Sequence, residues 1–82
     1  MNITFDDYAV KNIHRFKNLS EYEVEDIVRN SIEDDEFQDY LEDCHSGVCS
    51  HIYNKDTNIT VFIEIDDNDV TIKGVKRGDQ RF

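Results

Sequence analysis

Ile59-Thr60-Val61-Phe62-Ile63-Glu64-Ile65 is the stretch that sets the fold class. Its four aliphatic side chains sit at every second position, and Thr60, Phe62 and Glu64 fall between them. That period of two belongs to a strand with one buried face; on a helix the same residues would scatter around the axis. Turn-forming residues bound the stretch on both sides, Lys55-Asp56-Thr57 before it and Asp66-Asp67-Asn68 after it. Beyond the first turn, Val48 to Asn54 has strand composition. Beyond the second, Val70 and Ile72 continue an inward face that runs out near Gly74 to Lys76. Short hairpin connections make these three strands an antiparallel meander with Ile59–Ile65 in the middle.

Upstream of the meander the period changes from two to that of a helix. Ser20 and Glu23 have capping-box spacing, and Leu19 with Val24 supplies a hydrophobic staple around it. The helix they start carries Val24, Ile27 and Val28 on one stripe. Projected forward, that stripe reaches Asp35, so the apolar face loses phase and a break is expected near Ser31 to Asp34. An earlier helix is predicted from Phe5, Tyr8, Ala9, Ile13 and Phe16, with Thr4 as its cap, Asp7 as the acid three residues on and Asn18 at its end. A third is predicted from Phe37, Tyr40, Leu41 and Cys44, stopped by Gly47. The expected fold is therefore α+β, three N-terminal helices followed by a three-stranded antiparallel β-meander. At 82 residues, with no proline, repeat or linker-like tract, residues 1–82 are expected to form one domain.

Charge is distributed unevenly. Glu21, Glu23, Glu25, Asp26, Glu33, Asp34, Asp35, Glu36, Asp39, Glu42 and Asp43 stand against Arg29 alone, and this segment carries the net charge of the entire chain, −10. Tyr8 to Ser20 contains Lys11, Arg15 and Lys17 and no acid, and Lys73, Lys76, Arg77 and Arg81 crowd the C-terminal end. So concentrated an acidic run repels nucleic acid and attracts basic protein surfaces. Carboxylates along a helix can imitate the phosphate spacing a nucleic-acid channel is shaped to hold, while the plain alternative is a solvated helical face. Charged residues reach 34%, and the nine aromatics with their ordered patterning argue for a folded chain with a thin core. The N-terminus has neither a basic segment nor an apolar run, and two cysteines make no disulfide framework, so a cytoplasmic setting is expected.

Cys44-His45-Ser46-Gly47-Val48-Cys49-Ser50-His51 is the one constellation with metal-ligand chemistry, since a Cys-x4-Cys spacing about a glycine can bring two thiolates to one ion and His45 or His51 can add imidazole. With no second paired cluster, the favoured reading is one buried cysteine, a second on the sheet and surface histidines, with no metal or other cofactor. No phosphate-cradling glycine loop, nucleophile elbow or helical metalloprotease motif occurs in the sequence.

The order of elements, with His14-Arg15-Phe16, Leu19-Ser20-Glu21, Val24-Glu25-Asp26-Ile27-Val28 and the strand Ile59-Thr60-Val61-Phe62-Ile63, resembles the RelE/ParE-type toxin superfamily. Some of its members carry a comparable His-x-Arg segment before a Ser/Glu-initiated helix. The resemblance implies a ribonuclease that relies on basic and aromatic side chains near the C-terminal strands, a place that Lys73, Lys76, Arg77 and Arg81 would fill. In size and composition the chain is also similar to small acidic phage-encoded inhibitors, antitoxins and immunity proteins. A net charge of −10 opposes phosphate. The first expectation is accordingly a non-enzymatic anti-defence inhibitor or antitoxin that binds a basic nuclease or nucleic-acid-binding complex through the acidic segment. The RelE-like ribonuclease is the alternative.

Overall fold

The structure, a computed structural model, describes residues 2–33, 48–66 and 69–80. In chain order these form β1 (Asn2–Phe5), α1 (Asp7–His14), α2 (Glu21–Ile32), β2 (Val48–Asn54), β3 (Ile59–Asp66) and β4 (Asp69–Arg77). The strands make one mixed sheet in the order β1-β4-β3-β2. β2 and β4 flank β3 antiparallel, and β1 runs parallel to β4 with Asn2 opposite Asp69 and Phe5 opposite Ile72.

This corrects the expected architecture: the described residues hold two helices and a four-stranded mixed sheet instead of three helices and a three-stranded meander. The predicted third helix, Phe37 to Cys44 with Gly47 at its end, lies outside the described residues. The correction that can be traced in detail is at the N-terminus. Thr4 caps no helix; its hydroxyl meets that of Thr71 across the sheet at 3.3 Å. Asp6 is the cap, and its carboxylate accepts the Tyr8 backbone N–H at 3.0 Å. Four residues are too few to display a strand period, and the spacing of Thr4 and Asp7 imitates a capping box. What makes Asn2–Phe5 a strand is the open edge of β4, whose backbone groups need partners.

The second helix starts as its capping box specifies. The Glu23 backbone N–H donates to Ser20 Oγ at 3.2 Å, and the Ser20 hydroxyl donates to Glu23 Oε1 at 3.3 Å. The helices bury Ala9, Ile13, Val24, Ile27, Val28 and Ile32 against Ile52, Ile59, Val61, Ile63, Ile65, Val70, Ile72 and Val75 of the sheet. Among the described residues this core is wholly aliphatic. Phe5 and Phe16 pack at its margin, while Tyr8 and Tyr22 stay in solvent.

Within β4 the ladder shifts by one residue. Ile72 pairs with Ile63 and Gly74 with Phe62, so Lys73 is skipped. A bulge of this kind lets Ile72 and Val75, three apart, both reach the core. It also sends Gly74 and Lys76 to the face away from the helices, next to Phe62 and Thr60.

Candidate functional site

The sheet face opposite the helices reads as rows of cross-strand neighbours. His51 of β2, Phe62 of β3 and Gly74 of β4 form one row, and Tyr53, Thr60 and Lys76 form the next. Past Phe5, where β1 ends, α1 takes over as the cover of the β4 edge. The Asp6 N–H donates to the Ile72 carbonyl at 3.0 Å, and the Val75 N–H donates to Asn12 Oδ1 at 2.5 Å. Asn12 therefore supplies beside the bulge the acceptor that a longer β1 would have offered.

Gly74 lies at the sheet edge that α1 covers, in contact with the side chains of Tyr8 and Asn12. A Cβ there would come within 3.1 Å of Asn12 Oδ1 and 3.5 Å of Tyr8 Cε1, so a side chain at this position would have to displace the Asn12 amide by a few tenths of an ångström. Tyr8 itself is 61% exposed, its ring standing over the glycine with one side in solvent. On the far side the chain turns at Gly78, whose φ of 84° is left-handed, and folds back over β3. The buried Thr60 hydroxyl holds that turn, donating to the Gly78 carbonyl at 2.6 Å and accepting the Gln80 N–H at 2.9 Å. Between α1 and this turn lies a cleft of about 380 Å³, lined by Tyr8, Asn12, Phe62, Lys73, Lys76 and Gln80 above Gly74 and Val75.

Two of the four basic candidates reach the cleft. The Lys73 ammonium pairs with Asp6 at 2.7 Å, and Lys76 stands 5.7 Å from the centre of the Phe62 ring. The hydrogen bond from Lys73, reinforced by the Tyr8 N–H, holds the Asp6 carboxyl below the ordinary carboxylate range; the same bond raises Lys73 above the usual lysine value. Arg77 points to the other face of the sheet, 5.5 Å from the Phe16 ring, because strand alternation separates it from Lys76. Arg81 lies outside the described residues.

The acidic candidates divide similarly. Glu21 meets His14 Nε2 at 3.5 Å, Glu25 pairs with Arg29 at 3.7 Å one turn along α2, Glu23 closes the capping box, and Asp26 is exposed. Glu33 caps the end of α2, whereas Asp34, Asp35, Glu36, Asp39, Glu42 and Asp43 lie outside the described residues. Of the metal candidates, Cys49 and His51 share the open sheet face, Cys49 being exposed. Cys44 and His45 lie outside the described residues, and among those described no three metal-binding side chains cluster. None of the described helices is long and apolar enough to cross a membrane.

Tyr8, Asn12, Phe62, Gly74 and Gln80 were not legible as site residues. Two signals bear on Gly74 and Phe62 alone, a glycine inside a strand, which marks a bulge or a close approach, and an aromatic ring at an outward position of the central strand; neither bears on Tyr8, Asn12 or Gln80.

No family model and no curated protein sequence matches the chain. Among solved structures, the isolated RelE toxin of Escherichia coli superposes with a TM-score of 0.54 at 16% identity, over 98% of this chain and 86% of that one. A chain of the intact Escherichia coli RelBE toxin-antitoxin complex superposes with a TM-score of 0.61 at 13% identity, over 96% of this chain and 98% of the other. The chain thus has a fold resembling that of the RelE-type toxins.

Proposed function

We propose that this chain is the toxin-type member of a toxin–antitoxin pair and acts on RNA through the open face of β3 and β4. The observation that carries this reading is the cleft at Gly74, where two ammonium groups and two aromatic rings converge on a sheet face of RelE-type architecture. RNA cleavage by the neighbouring 2′-hydroxyl needs cations on the phosphate oxygens, a group to accept the hydroxyl proton and a donor to the leaving 5′-oxygen. Lys73 and Lys76 supply the first requirement. His51, in the same row as Phe62, is the side chain suited to the proton transfers.

Expression without a partner tests this. The natural sequence should arrest growth, and the Lys73→Ala/Lys76→Ala variant should not, with its fold intact by circular dichroism. No arrest by the natural sequence removes the reading.

A second reading rests on the engagement of the β4 cations with Asp6, Phe62 and Phe16, together with the exposed carboxylates of α2. In it the chain is an acidic binding protein whose α2 face meets a basic, nucleic-acid-handling protein, and the cations serve the fold. Both readings call for a protein partner: an antitoxin in the first, an inhibited target in the second. Growth arrest separates them.

A further inference from the structure

The cleft beside Gly74 combines features that an ordinary phosphate site does not need. A cation pair suffices to hold phosphate; here two aromatic rings, Tyr8 on α1 and Phe62 on β3, line the same space over a floor with no side chain. Tyr8 is poorly explained by packing. It sits in an otherwise well-patterned helix whose core positions are taken by Ala9 and Ile13, and most of its surface stays in water. Its ring nevertheless stays close to Gly74, at 3.5 Å from where a Cβ would stand, beside the strand pair Gly74–Phe62. The volume of about 380 Å³ falls at the small end of the roughly 300–1,000 Å³ of small-molecule sites, which suits one nucleotide rather than a duplex.

We propose that the cleft is a stacking slot for one unpaired nucleobase of an RNA strand, with Tyr8 as its outer wall, Phe62 as its inner wall and Lys76 as the contact for the adjoining phosphate. This rests on the RNA-directed reading above and assigns that reading a specificity-determining residue, Tyr8, on an element that carries none of the basic candidates. Every base offers a π face to an aromatic ring, so such a slot selects unpaired over paired strands more than it selects sequence. Lys76 now stands over the Phe62 ring. An incoming base exchanges that exposed cation–π contact for ring stacking and leaves the ammonium to the phosphate. Asn12 fixes the depth of the slot: its Oδ1 is held by the Val75 N–H, and its Nδ2 keeps two donors.

The test uses a fully 2′-O-methylated RNA oligomer carrying 2-aminopurine, which cannot be cleaved at its 2′ positions and whose fluorescence falls on stacking. The natural protein should quench it. Tyr8→Ala and Tyr8→Leu should weaken binding about 5- to 150-fold, the range for losing one base–aromatic stack, while Tyr8→Phe should bind within a few-fold of the natural protein. Lys76→Met should reduce the slope of log affinity against log salt by about 0.7. Tyr8→Leu keeps apolar bulk against Gly74, so its loss of quenching cannot be blamed on a collapsed fold. No quenching by the natural protein, or equal quenching by Tyr8→Leu, overturns the slot even if the protein arrests growth. Quenching that depends on Tyr8 in a protein that neither cleaves RNA nor arrests growth retains the slot and removes the toxin reading.

Discussion

Asp6 joins three elements: its carboxylate caps α1 and pairs with Lys73, and its N–H closes on the end of the β1–β4 ladder. Its folded pKa lies below the unfolded value near 3.8, so the folded state resists protonation there. The stabilisation is complete above that value and is lost as pH falls through the lower folded one. Lys73 has the opposite sign: raised above 10.5, its contribution is present below that value and is lost as pH climbs through the folded one. Asp6→Asn keeps a good N-cap and removes the ion pair. It should be less stable than the natural protein at pH 7, with the difference closing at the acid end, as read by urea denaturation across pH. Thr60→Val tests a second single atom. The substitution keeps the shape and takes the Thr60 hydroxyl from the half-buried Gly78 carbonyl and the Gln80 N–H, which should cost about 0.5–1.5 kcal/mol for each bond lost. A loss of only a few tenths would mean that the C-terminal turn is held elsewhere.

Helix α2 and strand β3 are the elements whose stability can be ranked in advance. Ser20→Ala removes one acceptor from the start of α2 and should cost about 1 kcal/mol. Ile63 is 1% exposed in the central strand between two hydrogen-bonded neighbours, and Ile63→Ala should cost about 2–5 kcal/mol, transfer and cavity combined. Denaturation midpoints in the reverse order would contradict the central place of β3. The bulge at Lys73 belongs to the same level of description. Strict alternation from Val70 and Ile72 puts residue 74 inward, yet Val75 takes the inward position and Gly74 faces Tyr8. A glycine in a strand announced an irregularity; which way it bends depends on α1 lying along that edge.

For the protein as a unit, the decisive property is the separation of charge between α2 and the face of β4. The natural field at −10 works against RNA and in favour of a basic protein. Asp26→Lys with Glu33→Lys changes two exposed positions, and Glu33 at the end of α2 is unfavourably placed for the helix dipole, so the fold should stand. The double variant should bind the inert RNA oligomer more tightly at low salt and associate more slowly with any basic protein partner. Both differences should shrink as added salt brings the Debye length to about 8 Å. If RNA binding does not respond at low salt, the α2 charges lie too far from the cleft to matter.

What could be read directly from the chain was whatever local chemistry settles: the strand composition of Val48–Asn54, the period of two in Ile59–Ile65, the capping box at Ser20, the likeness to the RelE-type fold and the acidity concentrated between Glu21 and Asp43. These depend on neighbours within one turn or one hairpin. β1, the cap at Asp6, the bulge and the cleft depend on residues more than sixty positions apart, Asn2 with Asp69, Asp6 with Lys73, Asn12 with Val75. No local pattern encodes such pairings. They arise because the unpaired edge of β4 must satisfy its backbone, first with β1 and then with a side chain of α1, and that requirement exists only once the sheet has formed. The separation of Lys76 from Arg77 onto opposite faces has the same origin: adjacent in sequence, they were grouped by charge, and strand geometry divided them.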